Sequence, residues 1–263
     1  MTADDFSGLL QAHRSIRSYD PRPIEEGLID RVLEESLQGS SSSGNLNMVS
    51  VIKTEDPARK AQLCEMHFGQ PMVLQAPLVL TFCADSFRTR QWLSQRGARL
   101  NFGNLISWHV ASFDAIILAQ TTSLALESLG LGICYMGTTL HSMRRIADFL
   151  ECPDHCLPVT SVVVGWPAEK LAQRDRLPRE SWIHNETYQR PSADDIDRHF
   201  GSREVKGWER YRSMGPELIE KMDALGISSL AQYYTSDIKY ATPAFERDSA
   251  ELEALLRERG FLA

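Results

Sequence analysis

The sequence lacks any apolar run of the roughly 18 residues that a membrane-spanning helix needs. Its first residues, MTADDF, carry acids where a signal peptide has basic residues followed by an apolar stretch. Basic residues are outnumbered, because 28 Lys and Arg stand against 35 Asp and Glu, a formal net charge of −7. That balance argues against a protein that binds nucleic acid through a basic face. The sequence therefore predicts a soluble cytoplasmic protein with neither a membrane nor a nucleic acid among its partners.

The sequence has few cysteines, and their positions do not form a disulfide framework. The count is odd and most positions lie in apolar runs, which predicts reduced, buried thiols rather than disulfides. Cys152 and Cys156 are close in sequence, but no second pair follows at zinc spacing, so we expect no metal site. A chain of 263 residues also buries enough surface to fold without cross-links. The remaining cysteines are Cys64, Cys83 and Cys134.

Common nucleotide and hydrolase signatures are missing too. The sequence has no GxxxxGK(S/T) loop and no GxGxxG that follows a strand, which leaves a P-loop or Rossmann site without support. GxSxG and HExxH are also absent. The glycines of LGLGI at 129–133 follow a helix instead of opening one, so they indicate a helix stop and a strand start.

Helical and strand patterns alternate up to about residue 165. An apolar segment over 104–129 that stops at Gly130 predicts a long core helix, and the unbroken apolar run at 78–84 predicts a central strand. From the alternation we expect one α/β domain with a long C-terminal arm. The other predicted elements are helices at 24–38, 142–150, 193–222 and 246–259 and strands at 48–52, 131–136 and 159–164.

A dense anion-binding segment lies near the start of the chain. HRSIR, residues His13 to Arg17, places two guanidinium groups and a hydroxyl close together, and such groups satisfy several phosphate oxygens at once. A second basic pair, Arg174 and Arg176, follows the strand that ends in GWP and could converge on the same phosphate. Each arginine taken singly fits a solvated surface position at least as well. The prediction of an anion site therefore rests on the close spacing of the polar side chains over residues 13–17.

Five segments occur in the order seen in a known family. They are HRSIR, SSSGNLN at 41–47, Gln70 followed by AP at 76 and 77, ESLGLGICYMG at 127–137, and VVVGWPAE leading to Arg174 and Arg176. Together they resemble the FMN-dependent nitroreductase family, and most closely its NADPH-dependent, oxygen-insensitive flavin reductase branch. The resemblance spans about residues 8 to 190. Each of the five segments alone is a weak signal, and only together are they specific for the family.

The resemblance implies an α+β, nitroreductase-like fold with a mixed central sheet around a long core helix. It implies a homodimer with two FMN molecules at the interface. It divides the chain into an FMN-binding domain over 1–190 and a C-terminal helical arm over 191–263, packed on the same domain or on the partner subunit.

The resemblance also implies which residues hold FMN. The phosphate, the ribityl chain and the ring edge would be held by His13, Arg14, Ser15, Ile16 and Arg17, with Arg174 and Arg176 completing the phosphate clamp. The pyrimidine edge would bond to Gln70, and the ring near N5 would lie beside Tyr135, Met136, Gly137 and Thr138. The flavin of the partner subunit would be reached by Ser42, Ser43 and Asn47, where the family often has Gln in place of Asn47.

The implied activity is hydride transfer from NADPH or NADH through flavin N5 to a small acceptor, nitroaromatic or quinone, with ping-pong kinetics. No side chain need act as an acid or base, and Arg17 and Arg174 would stabilise negative charge near N1 and O2. Two alternatives stay open. One is a specialised reaction of the family, such as reductive dehalogenation, flavin destruction or azoline oxidation, and the other is a flavin-binding module without turnover.

The C-terminal arm leaves the electron donor open. Lys239 is the only basic residue over 230–245, where some NADPH-specific relatives have an arginine-rich stretch. The segment 203–229 has no counterpart that we can assign. Its Trp208, Tyr211 and Met214 would cover the active site or, as we favour, pack against the partner subunit.

Overall fold

The computed structural model describes residues 2–263. The chain divides into two compact units, one of residues up to Gln173 together with Ala250–Ala263 and one of Arg174–Ser249. The second unit therefore begins ahead of the predicted boundary at 190, and the last residues return to the first unit. The division of the chain into domains stays a prediction. No helix among residues 2–263 combines the length and the apolar character needed to cross a membrane.

The first unit contains a sheet and the helices that cover it. Its strands are β1 (Tyr19–Asp20), β2 (Val49–Thr54), β3 (Leu78–Asp85), β4 (Gly132–Met136) and β5 (Cys156–Pro167). Its helices are α1 (Ala3–Ala12), α2 (Leu28–Gln38), α3 (Pro57–Met66), α4 (Met72–Gln75), α5 (Phe87–Gln95), α6 (Leu105–Ser128) and α7 (Met143–Phe149).

The five strands form one sheet in the order β1-β5-β3-β2, and β4 also pairs with β5. All of these named pairs are antiparallel, and a parallel bridge between Ser15 and Ile133 makes the sheet mixed. The α+β class is therefore confirmed, and the α/β domain that the alternation predicted is wrong. The alternation of helices and strands led to the wrong class because helices can connect antiparallel strands as well as parallel ones. The order of the elements along the chain is the same in both cases. The central position of β3, buried at all its residues, is confirmed.

The core helix α6 packs on β3 and α2. Asn104 caps its start, because the Asn104 Oδ1 atom accepts a hydrogen bond from the Ser107 N–H at 3.0 Å. The chain leaves the helix at Gly130 with a φ of 83°, a conformation that glycine adopts without steric cost. The helix predicted over 104–129 is thus confirmed. Several apolar side chains of this helix are exposed, so it has a second apolar face beside the buried one.

Element boundaries differ from prediction where turn chemistry decides them. The helix predicted over 24–38 begins at Leu28, because Gly27 adopts a left-handed φ of 76° just before it. Helices α3 and α5 were missed, since each buries few residues and shows little apolar periodicity. The strand predicted at 159–164 extends over all of β5, because it pairs with three neighbouring strands.

The second unit has a small apolar core of its own. It contains α8 (Ala193–Arg212), α9 (Pro216–Ala224), α10 (Leu230–Tyr234) and the start of α11 (Thr242–Glu258). A Cβ atom on Gly207 would lie 2.5 Å from Leu230 Cδ2, so the glycine lets the Leu230 side chain of α10 pack directly on α8. The core residues are Tyr211, Met222, Ile227, Leu230 and Tyr233.

This core contains aromatic residues of the segment 203–229, and the packing of that segment against a partner subunit stays a prediction. Tyr211 is buried within its own unit, and Trp208 packs against the same cluster, so neither ring is spread over an outer surface. Met214 is exposed. The aromatic residues of this segment therefore stabilise the second unit itself.

Candidate functional site

The predicted anion segment runs alongside β4. The Ile16 N–H donates to the Ile133 carbonyl at 2.9 Å, and Ser15 forms the parallel bridge with the same residue. This approach requires a bare backbone at Gly132, because a Cβ there would lie 2.7 Å from Ile16 Cγ1. Ile16 itself is buried in the core. The segment is thus fixed to the sheet by its middle, while the polar residues on either side remain at least partly exposed.

His13 is held from the core helix. Its Nδ1 atom lies 2.7 Å from Oε1 of Glu127, near the end of α6, and the Glu127 side chain is 10% exposed. Burial raises the pKa of Glu127, and the neighbouring His13 acts against that rise. The Oε2 atom of Glu127 is buried without a hydrogen-bond partner. A buried carboxylate therefore fixes the first residue of the anion segment.

The two arginines of the segment contact nearby backbone. Arg14 Nε donates to the Leu171 carbonyl at 2.6 Å and its Nη1 to the Ala12 carbonyl. Arg17 Nη1 donates to the Ser15 carbonyl at 3.2 Å. The Glu169 carboxylate accepts from the backbone N–H of Arg17 and from that of Ser18 at 3.1 Å. These contacts fix each guanidinium group separately against nearby backbone.

At the end of β4, Tyr135 and Met136 pack against the rest of the protein, whereas Gly137 is exposed. The Tyr135 hydroxyl donates to Gln120 Oε1 and accepts from Ser123 Oγ, both at 3.3 Å, so this side chain bonds to α6. Burial raises the pKa of Tyr135. Met136 is buried, whereas Gly137 is exposed and a Cβ there would meet no atom within 4 Å. Gly137 therefore offers the open backbone that a flat ligand requires.

Gln70 and Thr138 are brought together. Gln70 Nε2 donates to Thr138 Oγ1 at 3.4 Å, and the same hydroxyl lies 2.8 Å from His67 Nδ1. His67 is fully buried, its Nε2 atom has no hydrogen-bond partner, and burial lowers its pKa to about 4. A neutral imidazole therefore positions the Thr138 hydroxyl, because a protonated ring would leave a buried N–H unpaired.

The serine loop is organised by a second buried acid. Asp114 Oδ2 on α6 accepts from Ser42 Oγ at 2.7 Å and from the Met48 N–H at 2.9 Å. The Asn47 N–H donates to Ser42 Oγ at 2.8 Å, and its side-chain Nδ2 donates to the Asn45 carbonyl at 3.1 Å. Ser43 is exposed at the start of a short turn. Ser42 therefore fixes the loop, while Ser43 is open to solvent.

The remaining predicted pair belongs to the second unit. Arg174 and Arg176 are exposed, and Arg176 Nη1 donates to the Arg174 carbonyl at 3.1 Å. Their part in a phosphate clamp stays a prediction.

The structure thus brings the anion segment, the end of β4 and Gln70 into one continuous line. Four residues that hold this line or the serine loop were missed by sequence reasoning, because a single buried acid or histidine has no spacing pattern to reveal it. Two of them lie inside segments that the sequence analysis quoted, since Glu127 is the first residue of ESLGLGICYMG and Glu169 is the last residue of VVVGWPAE. His67 and Asp114 had no such signal.

Known proteins resemble this chain over most of its length. The model of the Nitroreductase family matches residues 10–166. The chain is 36% identical over 229 residues to FMN reductase [NAD(P)H] of Bacillus subtilis, covering 86% of this chain and 89% of that protein. It is 32% identical over 181 residues to the oxygen-insensitive NADPH nitroreductase of Salmonella typhimurium, covering 69% and 73%.

A solved structure agrees over nearly the whole chain. The crystal structure of a protein from Bacteroides fragilis superposes with a TM-score of 0.86 at 37% identity, covering 97% of this chain and all of that one. The family match spans the anion segment, Gln70 and the whole of β4. The chain therefore belongs to the Nitroreductase family.

Proposed function

We propose that this protein is an FMN-dependent oxidoreductase that transfers hydride from NADPH or NADH to a small acceptor. The observation that carries the proposal is the line from His13 along β4 to Gln70, fixed by the Ile16 to Ile133 hydrogen bond of 2.9 Å. That line offers anion-binding groups at one end, bare backbone at Gly137, and an amide at the other end. Relatives named as FMN reductase and NADPH nitroreductase support it.

The residues present fit FMN in chemistry and in order. Arg14, Arg17 and the Ser15 hydroxyl suit a phosphate, because charge-assisted hydrogen bonds to oxyanions are strong and directional. Exposed Gly137 leaves room for a flat ring, and Gln70 with Thr138 suits a pyrimidine edge that both donates and accepts. FMN, when bound, supplies hydride transfer between the nicotinamide and the acceptor.

The chain's own residues have mainly electrostatic and positioning roles in this proposal. Arg17 stabilises negative charge at the ring edge, and Glu169 holds the backbone from which it projects. Neutral His67 keeps the Thr138 hydroxyl in place without adding a second positive charge. Gln70 orients the ring through its amide. No side chain is needed as a general acid or base.

A homodimer completes the site in this proposal. Helix α6 carries a second apolar face, and a helix that is apolar all round is normally buried on all sides. The loop that carries Ser42, Ser43 and Asn47 is tied to this same helix through Asp114. In a dimer formed through α6, the loop would reach the flavin of the partner subunit. The exposed apolar residues of the face are Leu105, Ile106, Phe113, Ile116 and Ile117.

The acceptor needs only to stack on the flavin and take two electrons, which suits nitroaromatics and quinones. Donor and acceptor then use the same space in turn, so the kinetics are ping-pong. The five free thiols fit a reducing compartment, and we propose the cytoplasm.

The first experiment is the visible absorption spectrum of the purified protein, reconstituted with FMN and mixed anaerobically with NADPH or NADH. We expect a flavin spectrum that bleaches with at least one donor and recovers when a quinone or nitroaromatic is added. A protein that binds FMN but never bleaches would be a flavin-binding module. A protein that takes up no FMN would contradict the proposal altogether. Bleaching without recovery by either acceptor would favour a specialised reaction.

A further inference from the structure

Three buried thiols converge at one end of the sheet in the first unit. Cys83 lies on β3, Cys152 lies in the connection from α7 to β5, and Cys156 is the first residue of β5. Their Sγ atoms all lie within 4.8 Å of one another. The other two cysteines belong to the same apolar core but not to this group. Sequence reasoning dismissed a metal site here, because the third thiol comes from a distant strand.

The backbone from α7 to the first residue of β5 is shaped so that the thiols of Cys152 and Cys156 turn inward. Glu151 and His155 adopt left-handed φ values of 56° and 61°, which non-glycine residues adopt at a cost. The Cys152 N–H donates to the Ala147 carbonyl at 2.9 Å, and the Cys156 N–H to the Pro153 carbonyl at 3.1 Å. On β3, the register with β5 shifts between Phe82 and Cys83. Both backbones therefore hold the three thiols in place before any ligand arrives.

A fixed positive charge lies beside the group. Arg259 Nη1 donates to the Cys152 carbonyl at 2.9 Å, and its Nε atom is buried without a hydrogen-bond partner. Asp148 pairs with the outer edge of this guanidinium. On the other side, Asp85 already accepts from the Ser50 hydroxyl and pairs with Arg88. The positive charge of Arg259 therefore favours the thiolate form of Cys152, which is the form that binds a cation.

The last residues of the chain cover the group. The His155 ring contacts Phe261 edge-on with centroids 5.4 Å apart. Gly260 has a φ of 79°, and a Cβ there would lie 2.5 Å from His155 Cε1, so only glycine allows the chain to pass this closely. All three cysteines are buried, and Phe261 belongs to the same apolar cluster as they do.

We propose that Cys83, Cys152 and Cys156 form a binding site for one soft d10 metal ion, Cu⁺, per chain. An ion about 2.3 Å from three sulfur atoms in a plane separates those atoms by roughly 4 Å, which the cluster can provide. Thiolate ligands select soft ions. Within residues 2–263 no fourth His, Cys, Asp or Glu atom joins the group, which favours three-coordinate Cu⁺ over tetrahedral Zn²⁺.

Binding is a displacement of protons with no change in oxidation state. Each thiol that ligates the ion as thiolate releases one proton, so up to three protons leave as one Cu⁺ enters. Three thiolates and Cu⁺ carry a net charge of −2, and Arg259 offsets part of it. A buried site of this charge is stable only with such compensation.

The test is a titration of the full-length, reduced holoprotein with Cu⁺ held by bicinchoninate, followed by the visible absorbance of the chelate. We expect the wild-type chain to remove one Cu⁺ per chain. Cys152→Ser and Cys156→Ser should each lower the affinity by about 100-fold or more, because a ligand is lost. The matched control is the double variant Cys64→Ala with Cys134→Ala, which removes two thiols of the same apolar core and should retain one Cu⁺.

Two measurements distinguish the loss of the metal site from the loss of the folded structure. Circular dichroism must show that each serine variant is folded at the temperature of the titration. X-ray absorption of the copper-loaded wild type should show three sulfur neighbours around the metal. Failure to compete with bicinchoninate, equal Cu⁺ binding by Cys152→Ser, or fewer than three sulfur neighbours would each overturn the proposal. Retention of Zn²⁺ in preference to Cu⁺ would overturn it too, as would a disulfide between two of the three residues in the protein purified without oxygen.

Discussion

The Nδ1 atom of buried His67 lies 2.8 Å from the hydroxyl of Thr138, which also accepts a hydrogen bond from Gln70 at 3.4 Å. Thr138 follows β4 by two residues, and Gln70 follows α3 in a separate part of the chain. The histidine therefore connects two predicted flavin contacts that are far apart in sequence. Because its other ring nitrogen has no partner, it can do so only as the neutral imidazole.

Protonation of His67 should destabilise the fold. Burial lowers its pKa to about 4 in the folded chain from an ordinary value of 6.5, so between these two pH values only the unfolded chain binds the proton. The free energy of unfolding therefore falls as the pH falls through this window. The full loss is about 3 kcal/mol, of which about 2 kcal/mol comes between pH 7 and pH 5. Urea unfolding at the two pH values measures it.

The variant His67→Gln isolates this contribution from those of other groups. We expect it to be less stable at pH 7 but to lose about 2 kcal/mol less than the wild type on going to pH 5. His199→Gln, in the second unit, should keep the wild-type difference. An unchanged pH dependence in His67→Gln would show that this imidazole is not held neutral.

Glu127 should control FMN binding through His13. Glu127→Ala removes the carboxylate that lies 2.7 Å from His13 Nδ1, so the imidazole is no longer fixed at the start of the anion segment. Hydrogen bonds to charged groups contribute about 1.5 to 3 kcal/mol, so we expect the FMN dissociation constant to rise by about 10-fold to 100-fold. Flavin fluorescence quenching measures it. Glu127→Gln should lose less, since the amide can still accept, and exposed Glu34→Ala should change nothing.

Much of the fold was predictable because it depends on repeated local signals. The cap, the apolar content and the glycine stop of α6 are all local, and its predicted bounds differ by one residue at each end from Leu105–Ser128. The run that became β3 was predicted as central because both of its faces are apolar. The pairing direction of the strands was not predictable, because it is set by long-range contacts that no local pattern encodes.

The candidate site was predictable only where residues form a cluster in sequence. HRSIR and the segment ending in Gly137 are such clusters, and the structure brings them side by side through Ile16 and Ile133. Glu127, Asp114 and His67 act singly, from helices or turns whose position relative to the motifs depends on the complete fold. The thiol cluster was unpredictable for the same reason, since the pairing of β3 with β5 is what brings Cys83 to Cys156.

Gly132 should be essential for the position of the anion segment. In Gly132→Ala the new Cβ would lie 2.7 Å from Ile16 Cγ1 and 3.0 Å from Pro167 Cγ, so the strand or the segment must move. Overpacking of this kind costs roughly 1 to 3 kcal/mol, and we expect that loss in urea unfolding. Gly8→Ala is the matched control, because a Cβ there meets no atom within 4 Å and alanine favours the helix. Equal stabilities of the two variants would contradict the close approach.

Asp114 should organise the serine loop. Asp114→Ala leaves the Ser42 hydroxyl and the Met48 N–H without their acceptor at 2.7 and 2.9 Å. Leaving buried donors unpaired costs about 1 to 3 kcal/mol each. We therefore expect lower stability and faster proteolysis between residues 40 and 48. Asp114→Asn keeps one acceptor oxygen, so its stability and its rate of proteolysis should lie between those of the wild type and of Asp114→Ala. A loop that resists proteolysis as well in Asp114→Ala as in the wild type would show that other contacts hold it.

The exposed face of α6 should be the dimer interface. Phe113 is 62% exposed and Ile106 is 70% exposed, an arrangement that leaves large apolar side chains in water unless another surface covers them. Phe113→Glu would bury an unpaired charge in such an interface, at a cost of several kcal/mol. We expect light scattering to give the mass of two chains for the wild type and of one chain for Phe113→Glu.

Trp92→Glu is the control for this substitution, because Trp92 is also half exposed but lies on α5 rather than α6. It should remain dimeric. If the loop at 42–47 reaches the flavin of the partner subunit, the monomeric Phe113→Glu chain should also bind FMN more weakly, although none of its own anion-segment residues has changed. If Phe113→Glu is monomeric but binds FMN as tightly as the wild type, the proposed dimer interface is correct and the proposed sharing of the flavin site between subunits is wrong. A Phe113→Glu chain that stays dimeric would mean that α6 faces something other than a second copy.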